Sequence, residues 1–221
     1  MKKVLLSVAI MLISSIIAPA QSSIFNNPNN ESYFGLRIGA DIACPGNITI
    51  DNFGISTFKV GGGIEFGGIY NIPVVANFYI EPGFKLFYDT YSIKDDYIKA
   101  IGNGIKSMSI EKFGMRIPIM AGYHFDFTDD IKVSVFTGPE LEVGFYGNGE
   151  TKGKNIKVSE NIYNEDGGMN RVNLLWSIGA GISYKHFYLG VNGGIGMLNM
   201  LNNDYAKMHE NRVSLNLGYN F

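Results

Sequence analysis

Phe113-Gly114-Met115-Arg116-Ile117-Pro118-Ile119-Met120-Ala121-Gly122-Tyr123-His124-Phe125 is the stretch on which the fold turns. Its odd positions are Phe113, Met115, Ile117, Ile119, Ala121, Tyr123 and Phe125, apolar or aromatic throughout. Its even positions are Gly114, Arg116, Pro118, Met120, Gly122 and His124, small or polar with one methionine. Successive side chains of a strand point to opposite faces, so this period of two writes a strand with one apolar face and one polar face. Residues 211–221 repeat the pattern, with Val213, Leu215, Leu217, Tyr219 and Phe221 set against Arg212, Ser214, Asn216, Gly218 and Asn220. Residues 171–185 do so again from Val172 to Tyr184, and only Leu175 offends on the polar face. In 131–147, Val133, Val135, Leu141, Val143 and Phe145 alternate with Lys132, Ser134, Glu140 and Glu142.

Working outward, the same alternation and its bounding turn residues mark strands at 33–42, 57–70, 76–90, 107–125, 131–147, 171–185, 186–197 and 211–221. The connections alternate in length. Residues 43–56, 91–106, 148–170 and 198–210 are long and polar, whereas 71–75, 126–130 and Lys185-His186 are short. Long connections at one end and short turns at the other are the habit of an up-and-down membrane barrel. Parity alone does not separate such a barrel from a soluble sheet with one wet face. Aromatic placement goes further. Phe34, Tyr70, Phe78, Tyr123, Phe125, Tyr184, Phe187, Tyr219 and Phe221 share the apolar parity at the short-turn end, and Phe58, Tyr88 and Phe145 share it at the other. Aromatic girdles at both interfaces account for one parity and two ends. The expected fold is all-β, an eight-stranded antiparallel up-and-down transmembrane β-barrel.

Composition agrees. Charged residues make up 17% of the 221 residues and 28 positions are Gly, against roughly 25% and 7% in soluble chains. Residues 1–20 carry Lys2 and Lys3, an apolar run from Val4 to Ile17, and Ala18-Pro19-Ala20, the form of a cleaved secretory signal. The barrel domain then occupies 21–221. Without the two leader lysines, 16 Lys+Arg stand against 20 Asp+Glu, a charge of −4, and no basic field draws nucleic acid. One cysteine, Cys44, excludes an internal disulfide framework and a thiolate metal cluster.

With these residues in view, the chain resembles the small outer-membrane β-barrels of Bacteroidetes-type bacteria, the PorT-like group. The resemblance rests on Phe78-Tyr79-Ile80-Glu81-Pro82-Gly83, on Met115 to Tyr123, on Thr137-Gly138-Pro139, and on the ending Ser214 to Phe221. It implies export to the cell outer membrane, with lipid and the barrel insertion machinery as partners. Tyr219 and Phe221 resemble the C-terminal signal that this machinery reads. None of the segments is a catalytic motif, and fold does not deliver function.

The inward parity gathers Arg37, Asp41, Lys59, Glu65, Glu81, Lys85, Asp89, Arg116, Glu140, Glu142, Lys185 and Arg212. An eight-stranded barrel is only wide enough for its side chains to fill it, so these charges should pair and plug the lumen. The alternative is a narrow ion or small-solute path, or a small polar ligand among Glu140, Glu142 and Arg116. A lipid-modifying enzyme would need His209 with Asp204 or Glu210 and a serine from another loop. His124 and His186 fall at the short-turn end, and no two histidines share a metal-ligand spacing. Gly61-Gly62-Gly63 and Gly193-Gly194-Ile195-Gly196 lack the helix and Lys of a phosphate loop and are read as curvature devices. No catalytic residue, cofactor or metal site is therefore assigned. The role expected is structural or partner-binding, through loops 43–56, 91–106, 148–170 and 198–210.

Overall fold

A computed structural model describes residues 32–221 apart from 52, 103, 155, 165–167 and 204. The leader at 1–20 lies outside the described residues. The elements are β1 (Tyr33–Pro45), β2 (Ile48–Ile50), β3 (Phe53–Ile55), β4 (Gly61–Val75), β5 (Phe78–Ser92) and α1 (Asp95–Ile101). There follow β6 (Ile105–Asp126), β7 (Ile131–Gly153), β8 (Lys157–Asn161), β9 (Val172–Tyr184), β10 (Phe187–Gly196), β11 (Ala206–Lys207) and β12 (Glu210–Asn220). Eight long strands pair with their sequence neighbours in the order β1-β4-β5-β6-β7-β9-β10-β12. Antiparallel pairing of β12 with β1, from Gly35 opposite Asn220 to Pro45 opposite Glu210, closes the ring.

Sequence parity becomes burial parity. Ser177, Arg212 and Asn216 are at most 4% exposed, while their neighbours Ile178, Val213 and Leu217 are 67%, 42% and 57% exposed. Apolar side chains cover the outside and polar ones fill the inside, an inversion that water would not tolerate and lipid requires. Among the described residues no helix is long and apolar enough to cross a membrane, so the crossing is made by strands. Leu175, the exception to parity in the sequence, is 1% exposed and does point inward.

At one end the connections are tight. The Ala76-Asn77 and Lys185-His186 turns each place a residue at positive φ, 48° for Ala76 and 53° for Lys185, as two-residue hairpins demand. Asn77 ties its turn to the neighbouring hairpin by donating to the His124 carbonyl at 2.8 Å and to Asp126 at 3.0 Å. Aromatic edges crowd here, with Tyr123 4.8 Å from both Phe78 and Phe125, and Phe187 and Phe221 against Tyr219.

At the other end β6 and β7, 22 and 23 residues long, overshoot the segments expected at 107–125 and 131–147. A strand needs about 9–11 residues to cross a bilayer. A bulge reshapes β7 as it leaves the barrel, because Phe113 pairs with Tyr146 and Gly114 with Gly144, leaving Phe145 as the extra residue. The connections that looked simply polar hold an apolar core of their own. Ile162, Tyr163, Met169, Met200 and Met208 are buried together, with Ile48, Phe58, Ile110 and Leu201 packed against them. Phe58 was expected in the outer girdle. Instead its ring meets Tyr91 edge-on at 5.4 Å within this head, because residue 58 precedes the start of β4 and strand parity no longer governs it. The girdle at this end consists of Tyr88, Phe113, Phe145 and Tyr146, all exposed on the outer surface.

Candidate functional site: the charged lumen

Inward positions on β1, β4, β5, β6, β7 and β12 converge because neighbouring strands are in register. Lys85 stands opposite Arg116, Arg116 opposite Glu142, and Asp41 opposite Ser214. Arg116 has no exposed surface and sits at the centre. Its guanidinium donates to Asp41 at 2.5 Å, Glu65 at 3.1 Å, Asp89 at 2.5 Å and Glu142 at 2.9 Å, and its carbon lies 4.0 Å from the centre of the Phe87 ring. Only a planar five-donor group can serve four carboxylates in this way. Arg212 bonds Glu65 at 2.9 Å, Ser214 at 2.6 Å and Glu140, and Ser214 donates on to Asp41 at 2.5 Å. Lys85 closes on Glu65 at 2.7 Å.

Nearer the head, Lys112 reaches Glu210 at 2.7 Å and Glu142 at 3.3 Å. Both Lys112 and Glu210 are buried; Lys112 is not among the lumen charges expected from the sequence, and Glu210 is named there only as a partner for His209. The inward parity of 116 and 212 extends to 112 and 210, and this is the signal in the sequence that places both in the lumen. Above this pair lies the head. The Tyr163 ring occupies the space that side chains at Gly144 and Gly147 would fill, and the Arg171 guanidinium lies 5.1 Å from it.

The short-turn half is arranged differently. Arg37 is buried with its guanidinium 4.0 Å from the centre of the Tyr188 ring, and Glu81 accepts from Asn71 at 3.3 Å. His124 stacks on Tyr79 at 4.1 Å, with Ser134 at 3.2 Å from one ring nitrogen and Asn71 at 3.4 Å from the other. A cavity of about 30 Å³, lined by Arg37, Glu81, Lys85, Glu140, Tyr188 and Asn192 among others, separates the two halves. That is room for about two waters.

Two of the expected lumen charges lie elsewhere. Lys59 is exposed and pairs with Asp95 at 2.8 Å, holding that carboxyl below its ordinary range by hydrogen bond and charge. It precedes β4, whose first residue is Gly61, so it belongs to the head. Lys185 is exposed in its hairpin turn, 3.9 Å from Asp130, because the turn ends the alternation of β9. Tyr219 and Phe221 sit on the outer surface at the short-turn end.

Residues 19–202 match the family described as outer membrane protein beta-barrel domain. The chain belongs to that family. Its place is therefore the outer membrane, with the short turns taken as periplasmic and the head as extracellular. Solved structures show the same general likeness at low identity. Ail of Yersinia pestis is 12% identical with a TM-score of 0.40, over 87% of this chain and all of Ail. Neisserial surface protein A is 12% identical with a TM-score of 0.45, over 87% of this chain and all of its own. OprG of Pseudomonas aeruginosa is 10% identical with a TM-score of 0.46, over 86% of this chain and 95% of OprG. Among curated proteins none matches the chain.

His209 is exposed and its carbonyl accepts from Gly46 at 2.8 Å. Glu210, its expected acidic partner, points the opposite way into the lumen toward Lys112. Asp204 lies outside the described residues. His186 contacts the Asn220 carbonyl at 2.7 Å and stacks on Tyr219, fastening the last strand.

Proposed function

We propose that this barrel is a sealed outer-membrane base carrying a folded extracellular head, and that the head contacts a protein partner. We further propose that it belongs with the PorT-like barrels of Bacteroidetes-type bacteria, a reading supported by the segments from Met115 to Tyr123 and from Ser214 to Phe221.

One observation carries the first reading. Arg116 and its four carboxylates bridge the barrel from β1, β4, β5 and β7, with no exposed surface on the arginine. Such a cross-brace suits a rigid platform and obstructs a solute path. Above it, three connections that could have remained separate loops share one apolar core with Ile110 of β6. Functional residues concentrate on surface loops held by a rigid scaffold, and this head is such a surface.

The test is replacement of residues 154–170 by a short turn, followed by cross-linking on intact cells and purification of the tagged barrel. Insertion at the normal level with loss of the cross-linked partner is the expected outcome. An unchanged set of partners would contradict a role for this part of the head.

A further inference from the structure

Lys157-Val158-Ser159-Glu160-Asn161 forms β8, and all five residues are exposed. β9 stops pairing with β7 where Val172 faces Val143, and above that point β8 takes over the same edge of β7, from Asn148 opposite Asn161 to Lys152 opposite Lys157. The Gly153 amide donates to the Ile156 carbonyl at 2.7 Å, and the Ile162 amide to the Gly147 carbonyl at 3.1 Å. The even-numbered residues of this stretch therefore aim their backbone groups at β7. Backbone groups alternate sides along a strand, so the N–H and C=O of Lys157, Ser159 and Asn161 point the other way. Among the described residues no strand pairs with that edge. β8 carries no proline and its register with β7 is unbroken, and such an edge is a template for a further strand.

The two faces of β8 differ. On one, the side chains are already engaged, since Glu150 holds Lys157 at 2.6 Å, Ser159 donates to Asn148 at 2.9 Å, and Asn161 accepts from the Tyr163 amide at 2.9 Å. The other is the face that Ile162 buries in the head core, and it carries Ile156, Val158 and Glu160. Ile156 and Val158 are 67% and 42% exposed, and Glu160 has no ion-pair partner among the described residues. A strand added to this edge would meet six free backbone groups, two uncovered apolar side chains and one unpaired carboxylate.

A second copy of this chain does not fit there. In every barrel of one membrane β8 descends toward the bilayer at a tilt of about 40°, and antiparallel pairing needs one of the two strands to ascend. Parallel pairing would require copies related by translation, which leaves both free edges facing the same way. A copy in a facing membrane is also excluded. Ser159 lies opposite Glu150, four residues above Tyr146 of the girdle, so pairing through Ser159 would bring the two girdles to within about 20 Å of each other. Two headgroup layers already fill most of that gap.

We propose that β8 accepts an extended segment of a different protein as an added antiparallel strand, with apolar residues opposite Val158 and Ile156 and a basic residue opposite Glu160. Read from its N-terminus, the segment runs basic, polar, apolar, polar, apolar. Main-chain hydrogen bonds to Lys157, Ser159 and Asn161 supply the affinity, and the alternate side chains supply the selectivity. The inference rests on the proposal that the head contacts a protein partner, and names how.

The test titrates the full-length barrel in phosphatidylcholine nanodiscs with the end-blocked peptide Thr-Lys-Thr-Val-Thr-Val-Thr, and with a peptide of the same composition whose lysine and valines fall on both parities. Amide exchange, read residue by residue by NMR, should slow about tenfold or more at Lys157, Ser159 and Asn161. It should stay unchanged at Val158 and Glu160, whose N–H groups already serve β7. Ser159→Pro removes one outward N–H and no bond to β7. It should weaken binding about tenfold or more with heat-modifiable migration retained, whereas Ser159→Ala should bind as the unaltered chain does. Glu160→Lys should prefer the peptide with glutamate in place of lysine, and this exchange of preference decides the matter if Ser159→Pro disorders β8. Absent protection at the three outward amides, equal binding of the reordered peptide, or a folded Ser159→Pro barrel that still binds overturns the proposal. On intact cells, Ser159→Pro should lose the same cross-linked partner that replacement of 154–170 loses. A partner kept by Ser159→Pro but lost on replacement leaves the role of the head standing and overturns strand addition.

Discussion

Replacing Arg116 by methionine would leave Asp41, Glu65, Asp89 and Glu142 facing one another without the cation that all four contact. Removing one partner of a buried ion pair costs about 3–5 kcal/mol, so Arg116→Met should lower the urea midpoint of the heat-modifiable form strongly. Glu140→Gln should cost less, since one Glu140 oxygen already lacks a partner and Arg212 keeps Glu65. Equal losses for the two variants would contradict the central place given to Arg116. Tyr163 offers a pH signature in the head. Burial pushes its phenol up to about 12, above its ordinary value of about 10. Because the folded state then holds the proton more tightly than the unfolded one, the stability contributed by Tyr163 is full below pH 10. It is lost as pH rises from about 10 to 12. Tyr163→Phe should remove that alkaline loss in a pH series of unfolding midpoints, and an unchanged series would dissociate Tyr163 from the packing of the head. At this scale the sequence was legible wherever a residue lay inside a strand. Arg116, Glu65 and Arg212 are assigned correctly to the inner face by counting in twos. Lys59 and Lys185 are not, because they lie beyond the ends of β4 and β9, where alternation no longer holds.

Elements were the most legible level, and their ends the least. Each of the eight alternating segments corresponds to one long strand, because lipid outside and a packed lumen inside enforce a strict period of two. The head escaped the same reading. Its apolar residues Met169, Met200 and Met208 come from connections with no shared period, and tertiary contact alone brings them together. The bulge at Phe145 was equally hidden, since an inserted residue is visible only from the partner strand. Both features meet at Gly144. A side chain there would strike the Tyr163 hydroxyl and ring, and overpacking of this kind costs about 1–3 kcal/mol. Gly144→Ala should therefore unseat the head while the barrel below remains paired. Limited proteolysis should cut within 154–170 more readily in this variant, with heat-modifiable migration retained. Protection equal to the unaltered chain would mean that Tyr163 does not hold the head down.

For the molecule as a whole, low charge content and abundant glycine acquire a physical cause. Half of each strand faces lipid, and the small inward positions make room for large charged and aromatic side chains across a narrow interior. Seven carboxylates, Asp41, Glu65, Glu81, Asp89, Glu140, Glu142 and Glu210, share this interior with Arg37, Lys85, Lys112, Arg116 and Arg212 among the described residues. Architecture and location follow from this inversion of inside and outside. The partner proposed for the head does not, since the chemistry of the head is written by tertiary packing. In the function proposed for this barrel, ion pairs and the head close the lumen. Planar bilayer recording of the purified barrel tests it most directly. A flat baseline at all voltages up to rupture is predicted, with no unit steps. Reproducible unit conductance steps from the unaltered chain would contradict a sealed interior.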